Sequence, residues 1–274
     1  MADSEVLQHN SGQTGNKAGE SIPLFEVSQI ERYFGGIQAL SRVSFKLKKK
    51  GIVSIIGPNG AGKTTFINVA TGTYYPNKGD VYFKGQNISG LPAYKIAQLG
   101  ISRTFQLEEL FSNMTVLENA MVGCHTKSST GMFQAGFRLK SMRMDENRIL
   151  DEALENLKMV GLEHKAAEDV NQLPLGERKM LGIARSLGVR PDLIMLDEPA
   201  GGLAAHEIIK LGDLVQELVE NGLAVIMVEH NMPFVMSISK RIIVLNYGTK
   251  IADGTPDDVR TDPGVIKAYL GEED

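Results

Sequence analysis

The chain has 274 residues, 42% of them hydrophobic, and carries a formal net charge of −4 at pH 7. This length allows one large core with at most a smaller second lobe, and the negative charge excludes a general attraction to nucleic acid or anionic lipid. No apolar run approaches the ~18 residues of a membrane-spanning helix, and the lone Cys124 excludes an internal disulfide and suits a reducing compartment. We therefore expect a globular protein with no nucleic-acid partner, in which Cys124 is a packing residue.

The N-terminal region divides into a polar tail and the start of a folded part. Residues 1–22 are rich in Gly, Ser, Asn and Gln and are predicted to be disordered, which leaves one folded unit over 23–274. Alternating apolar and polar residues predict β-strands at 24–30 and 43–47, and a further short strand at 81–83.

A glycine-rich segment between two regular elements fits the complete phosphate-loop pattern G-x-x-x-x-G-K-[ST]. Its residues are Gly57, Pro58, Asn59, Gly60, Ala61, Gly62, Lys63, Thr64 and Thr65. The glycines let backbone N–H groups point at phosphate oxygens, Lys63 can reach the β- and γ-phosphates, and the Thr64 hydroxyl can bind Mg²⁺. The predicted strand 52–56 before it and helix 66–70 after it place an anion at a helix N-terminus. We expect a nucleoside triphosphate site; a glycine-rich turn carrying one lysine is the minor alternative.

The next segment, Asn77-Lys78-Gly79-Asp80, spells the N-K-x-D motif that reads guanine in GTPases. It comes only about one helix after Thr64, which is too early for that role. We interpret it as the turn into the strand at 81–83, so guanine specificity is not expected.

The middle of the chain is predicted to be helical. Apolar residues at helical spacing predict one helix through 149–160, with Gly161 as its C-cap, and a second over 177–188. Between the phosphate loop and these helices, residues 125–147 are polar and methionine-rich, which is typical of an insertion under weak packing constraint.

The C-terminal part alternates strands and helices again. We predict strands at 193–196 and 224–228, an amphipathic helix at 206–220, and a final strand at 241–246. Such alternation favours a mainly parallel sheet covered by helices on both faces, interrupted here by the helical block.

Three polar residues at strand ends fit the hydrolysis of a phosphoanhydride. An apolar strand ends in Asp197 and Glu198, where Asp197 can hold Mg²⁺ through water and Glu198 can orient the attacking water. The plain alternative is a solvated Asp-Glu pair. His230 follows the strand at 224–228 and can bond the γ-phosphate, although a strand-end histidine alone is more often structural.

Together these motifs resemble those of ATP-binding-cassette (ABC) ATPases over about residues 24–271. The resemblance rests on the phosphate loop, on Gln106 in Arg103-Thr104-Phe105-Gln106, on a signature at Leu173–Glu177, on Asp197-Glu198-Pro199 and on His230. It implies an α/β P-loop NTPase fold with a RecA-like parallel-sheet core, a small antiparallel β subdomain and an inserted helical subdomain at about 106–190.

The resemblance also implies roles for individual residues. Two cassettes would face each other head to tail and sandwich two ATP molecules. Phe34 matches the aromatic residue that stacks on adenine, with Tyr33 as the alternative. Gln106 matches the residue that contacts Mg²⁺ and the water and links to the membrane subunits. Gly176 lies in the signature that would meet the other subunit's ATP.

Two positions depart from the family pattern, and both face the other subunit. Pro174 replaces the signature serine, so its hydroxyl contact to the opposite γ-phosphate is lost, while the N–H groups of Leu175 and Gly176 remain. Losing one hydrogen bond to a charged group costs ~1.5–3 kcal/mol. Ala204 stands where an acidic or amide side chain is usual.

The finer resemblance is to the ATP-binding subunits of branched-chain (hydrophobic) amino acid importers. It rests on 103–106, on 113–119, on the insertion after Gly123 and on the ending at 266–271. It implies an assembly of two cassettes, two membrane permeases and a periplasmic or extracellular solute-binding protein, with this chain on the cytoplasmic face of the inner membrane. Cargo would be amino acids or related small amides or carboxylates. A soluble non-transport ABC ATPase and a mainly structural cassette are the alternatives.

Overall fold

The computed structural model describes residues 21–48, 51–104, 110–125 and 139–270. Almost all of the tail predicted to be disordered, and the predicted site residue Gln106, lie outside these described residues. Among the described helices, none combines the length and the apolar character needed to cross a bilayer.

The described residues form ten strands and nine α-helices. The strands are β1 (Phe25–Phe34), β2 (Ile37–Leu47), β3 (Gly51–Ile56), β4 (Lys78–Phe83), β5 (Gln86–Asn87), β6 (Ile101–Arg103), β7 (Leu193–Asp197), β8 (Ala224–Val228), β9 (Arg241–Asn246) and β10 (Thr249–Gly254). The helices are α1 (Lys63–Ala70), α2 (Ala93–Leu99), α3 (Val116–Cys124), α4 (Leu139–Met159), α5 (Leu175–Leu187), α6 (Ala205–Glu220), α7 (Met232–Ile238), α8 (Pro256–Thr261) and α9 (Pro263–Leu270).

The larger sheet has six strands in the order β10-β9-β3-β8-β7-β6. Neighbouring strands from β9 to β6 are parallel, and β10 is antiparallel to β9. This confirms the predicted mainly parallel sheet. The expectation that β9 is the final strand is wrong, because β10 follows it. None of the residues of β10 is buried, so this edge strand lacks the apolar run by which buried parallel strands are recognised.

The smaller sheet is antiparallel, with strand order β2-β1-β4-β5. β1 extends past the predicted end at Ile30 and carries Phe34 at its last position. The N-K-x-D segment enters β4 directly, and Lys78 Nζ lies 3.1 Å from Glu31 Oε2 of β1. Lys78, Gly79 and Asp80 are therefore residues of the strand itself, and the interpretation of the whole segment as a turn before residue 81 is wrong.

Helices α3, α4 and α5 pack around a separate apolar cluster that includes Val116, Leu157 and Leu181. α5 begins at Leu175, two residues before the predicted start. α4 begins at Leu139, inside the segment expected to be a weakly packed insertion; residues 126–138 of that segment lie outside the described residues. Cys124 is buried among these helices, and burial raises the pKa of its thiol to about 11, as a packing residue requires.

Two apolar layers cover the faces of the six-stranded sheet. One includes Phe66 and Ile67 of α1 with Phe25 and Phe45 of the antiparallel sheet, and the other includes residues of α6 and α7. The parallel order of β3, β8 and β7 brings their carboxyl ends to one edge. Ligands bind at this edge in open α/β sheets, and it carries the predicted site residues 57–65, 197–198 and 230.

Candidate functional site

The phosphate loop is held tightly between two neighbouring backbone segments. Gly57 and Gly62 have φ values of 154° and 98°, which L side chains rarely adopt. A Cβ on Gly62 would lie 2.5 Å from the Ala39 carbonyl oxygen, and one on Gly57 would collide with the Leu245 carbonyl oxygen. These two glycines are therefore required by close backbone approach as well as by the curl of the loop.

Lys63 is the first residue of α1 and is buried beneath the loop. Its Nζ donates hydrogen bonds to the carbonyl oxygens of Gly57 (2.8 Å) and Pro58 (3.0 Å). Burial lowers the pKa of Lys63, and attraction to Glu198 and Asp197 opposes that shift. Thr64 is exposed in the same first turn, which contains no acidic residue. The helix N-terminus thus combines a lysine, a hydroxyl and backbone N–H groups with no acidic side chain in the first turn, which suits the binding of a polyphosphate.

Asp197 ends β7 with a side chain only 2% exposed. Its Oδ2 accepts a hydrogen bond from Arg103 Nη2 at 2.7 Å, and Arg103 Nη1 donates to Asn68 Oδ1 of α1 at 2.6 Å. The sequence analysis gave Arg103 no role. The contact depends on the parallel pairing of β6 with β7, which no local pattern in the sequence predicts.

Glu198 adopts a left-handed backbone conformation with φ of 48°, while its N–H donates to the Val228 carbonyl oxygen at 2.9 Å. Its Oε2 lies 3.7 Å from His230 Nδ1, and both side chains are well exposed, at 41% and 58% respectively. The carboxylate and the imidazole therefore share the open edge of the sheet above the buried Asp197, as their predicted roles require.

Glu229 is a second residue that the sequence analysis missed. It is fully buried, and its carboxylate accepts hydrogen bonds from the N–H groups of Ala200 (2.6 Å), His230 (3.0 Å) and Asn231 (3.2 Å). A buried carboxylate is tolerated when its oxygens are satisfied in this way. A charged residue at the end of the apolar strand β8 was the available signal.

Phe34 fits the role of an adenine-stacking residue better than Tyr33 does. Its ring is partly exposed, lies 5.2 Å from the Tyr74 ring and has the Arg32 guanidinium 4.6 Å from its centroid. The Tyr33 hydroxyl donates to Glu31 Oε2 at 2.7 Å inside the antiparallel sheet. This bond also raises the pKa of Tyr33 and lowers that of Glu31. The Tyr33 side chain is therefore hydrogen-bonded within the antiparallel sheet.

The signature region forms the start of α5. Pro174 precedes the helix and supplies no side-chain hydrogen bond to its N-terminus. Gly176 is buried against the Glu207 carboxylate, which occupies the space that a Cβ would need. The other oxygen of Glu207 accepts from the Ala204 N–H at 2.8 Å. The signature and the segment at 201–204 are therefore in contact within one chain, and Pro174 and Ala204 supply no polar side chain there.

An apolar cavity of about 320 Å³ lies between the central sheet and the helices α3 and α5. Its lining includes Ile96, Ile101, Phe111, Val122 and Val189, together with Arg103. Because Arg103 also contacts Asp197, one residue connects this cavity to the site.

Metal binding at this edge fits the donor types present. In the part of the chain that the structure describes, no three His, Cys, Asp or Glu side chains converge as a metal cage. Mg²⁺ is usually held by one or two protein oxygens plus substrate phosphates, for which the Thr64 hydroxyl of α1 and the Asp197 carboxylate at the end of β7 are suitable donor types.

Comparisons with known proteins agree with this geometry. A family model described as "ABC transporter" matches residues 40–201, and one described as "Branched-chain amino acid ATP-binding cassette transporter" matches residues 249–274. The chain is 42% identical over 253 residues to the high-affinity branched-chain amino acid transport ATP-binding protein LivG of Salmonella typhimurium, covering 92% of this chain and 99% of that protein.

Solved structures of similar chains include a nucleotide-free ATP-binding cassette from an ABC transporter. It has a TM-score of 0.81 and 31% identity, and the match covers 91% of this chain and 100% of that chain. A dimeric cassette in a post-hydrolysis state, bound to ADP and Pi, has a TM-score of 0.72 and 27% identity, covering 85% of this chain and 98% of that chain.

Proposed function

Because this chain belongs to the ABC transporter family of ATP-binding proteins, we propose that it powers the import of branched-chain amino acids or related small amides and carboxylates by hydrolysing ATP. The observation that carries the proposal is the convergence of the phosphate loop, Asp197, Glu198 and His230 at one sheet edge. The cargo assignment is supported by the relative LivG and by the family model at the C-terminus.

ATP would be held at its two ends by different elements. Residues 57–65 receive the phosphates through backbone N–H groups, through Lys63 and through the N-terminus of α1. Phe34 stacks on adenine with its exposed ring. The 2.8 Å bond from Lys63 Nζ to the Gly57 carbonyl oxygen keeps the ammonium on the loop, where the β- and γ-phosphates are expected.

Thr64, Asp197 and Gln106 would hold Mg²⁺, which neutralises phosphate charge when it is bound. The chain contributes by orienting the oxygen atoms that would bind the metal. Asp197 is oriented by Arg103, and Thr64 is placed by the first turn of α1. Gln106 lies outside the described residues and is proposed from its motif alone.

Hydrolysis then depends on Glu198 and His230. The Glu198 carboxylate accepts a proton from water as the water oxygen bonds to the γ-phosphorus. The bond between that phosphorus and the bridging oxygen breaks, and ADP and phosphate leave. His230 donates a hydrogen bond to the γ-phosphate. Because His230 Nδ1 lies 3.7 Å from Glu198 Oε2, both groups would act from the same side of the reacting centre.

The site is proposed to be completed by a second cassette, identical or not. The N-terminus of α5 at Leu175 and Gly176 would face the partner's ATP, since helix N–H groups there attract a γ-phosphate. The similar dimeric cassette bound to ADP and Pi supports this arrangement.

Two permeases and a periplasmic or extracellular solute-binding protein are the other proposed partners. The apolar cavity beside Arg103 is a suitable binding site for a permease helix, because an apolar surface depression can bury the apolar face of an amphipathic helix. This chain would then be held at the cytoplasmic face of the inner membrane through those subunits. We propose residues 23–274 as one ABC domain, with 106–190 as its helical subdomain, supported by the separate apolar cluster of α3, α4 and α5.

A mainly structural cassette with weak ATPase activity is the second candidate, favoured by Pro174 and Ala204. The test is Glu198→Gln, which should keep ATP affinity within about twofold and reduce turnover by roughly a hundredfold or more, because the water loses its base. Glu220→Gln, at the exposed end of α6, is the control and should retain turnover. Turnover near wild type in Glu198→Gln would remove Glu198 from this role.

The transport role has a separate test. The tagged chain should co-purify from detergent-extracted membranes with two membrane subunits that stimulate its ATPase activity. Recovery without such subunits, or without stimulation by them, would favour a soluble non-transport ATPase.

A further inference from the structure

Lys179 of α5 makes a contact that reaches out of its own helix. Its Nζ donates hydrogen bonds to the carbonyl oxygens of Glu198 (2.9 Å) and Pro199 (3.0 Å). The side chain is half-buried. Burial lowers the pKa of Lys179, while attraction to Glu229 and Glu198 opposes that shift. A charged donor shared by two backbone carbonyls is a strong and directional contact.

The same backbone segment is also held by Glu229. The buried Glu229 carboxylate accepts the Ala200 N–H, and it also accepts the N–H groups of His230 and Asn231. Lys179 therefore binds the carbonyl groups of Glu198 and Pro199, and Glu229 binds the N–H group of Ala200. These contacts lie at and next to Glu198, whose φ of 48° is unfavourable for a residue with a side chain and persists only when its surroundings hold it.

We propose that Lys179 is a positioning residue that fixes the backbone of Glu198 and thereby aims its carboxylate at the attacking water. The proposal rests on the proposed role of Glu198. Because Lys179 lies three residues after Gly176 on α5, about one helical turn, it also ties the segment that would face the partner's ATP to the base that serves this chain's own ATP.

The neighbouring residue Arg178 shows that this contact is not a general property of the helix. Arg178 donates to the carbonyl oxygens of Leu173 (2.8 Å) and Asn171 (2.7 Å), so it stabilises only the turn that leads into α5. Lys179 instead crosses to the end of β7. Its loss should affect the chemical step and leave the binding surface of the phosphate loop intact.

The test is Lys179→Met in the full-length chain, with steady-state ATPase kinetics and equilibrium binding of a fluorescent ATP analogue. We expect kcat to fall by about tenfold or more, with analogue affinity and KM within about twofold, because only the geometry around Glu198 changes. Lys210→Met, which removes an exposed ammonium from α6, is the control and should match wild type. Equal losses of affinity and kcat, or an unchanged kcat, would overturn the proposal.

A double variant separates positioning from a merely structural role. If Lys179 acts through Glu198, adding Lys179→Met to Glu198→Gln should cost less than about twofold in single-turnover hydrolysis, since the effects are not additive. Full additivity would overturn the proposal. Failure of the proposed function is distinguishable, because Glu198→Gln alone would then keep wild-type turnover. If Lys179→Met does not fold, Glu229→Gln probes the same segment: a loss confined to kcat supports the proposal, and unchanged kinetics contradict it.

Discussion

The phosphate-loop edge and the signature edge of this chain both face an expected ATP molecule, but they differ in their side chains. At the first edge, Lys63, Asp197, Glu198 and His230 are all present and lie together at the ends of β3, β7 and β8. At the second edge, the helix N-terminus that could bind an anion is present, since α5 begins at Leu175. Pro174 and Ala204, however, offer no polar side chain there. We therefore expect that ATP binding at the phosphate loop and hydrolysis of the partner's ATP respond to different substitutions.

The largest expected effect tests whether the phosphate-loop edge depends on close backbone packing. Gly62→Ala places a Cβ 2.5 Å from the Ala39 carbonyl oxygen at a φ of 98°. The strain at this φ, added to the backbone clash, should lower ATP affinity by a hundredfold or more, which is about 3 kcal/mol or more. Titration calorimetry measures this loss. The matched control is Gly182→Ala on α5, where nothing lies within 4 Å of the new Cβ, and its affinity should equal that of wild type.

The next prediction concerns the buried charge pair beneath the loop. Arg103→Met leaves the Asp197 carboxylate, 2% exposed, without its guanidinium partner, and should lower the free energy of unfolding by about 3 kcal/mol. Guanidinium denaturation gives this value. Arg148→Met removes two longer pairs of an exposed side chain, to Asp145 and Glu152, both at 3.8 Å, and should cost less than about 1 kcal/mol. Equal costs would show that Arg103 does not support the phosphate-loop edge as the geometry indicates.

The smallest expected effect tests the signature edge. Pro174→Ser restores the hydroxyl and should raise turnover by about tenfold in the assembled dimer, which is the lower end of what one hydrogen bond to a charged group contributes (~1.5 kcal/mol). ATP affinity of the isolated chain should not change, because the contact crosses to the other subunit. Pro174→Ala removes the ring without adding a hydroxyl and should not raise turnover. A rise in both variants would assign the effect to the ring, and no rise in either would mean that the helix N-terminus suffices.

The family, the fold class and the ATPase function were predictable because their signals are local. The phosphate loop and the strand ending in Asp197-Glu198 are each a short apolar strand followed by a fixed pattern of residues, and the comparisons confirm the predicted family and fold. The roles of the individual site residues remain predictions.

What the sequence could not supply were contacts between distant side chains and backbone groups. Arg103 meets Asp197 across 94 positions, and Lys179 meets the Glu198 carbonyl across 19. Such pairs follow from strand order and from the packing of α5, which no local pattern encodes. β10 was missed for a different reason: as an edge strand it buries no residue, so its apolar signal is weak.

The contact between Gly176 and Glu207 changes how a substitution in the signature should be interpreted. Any side chain at 176 would first displace the Glu207 carboxylate, whose other oxygen accepts the N–H at the start of α6. A loss of activity after such a substitution would therefore mix two causes, the altered surface toward the partner and a shifted helix start within the same chain. Genetic intolerance at Gly176 is thus not, by itself, evidence for contact with nucleotide.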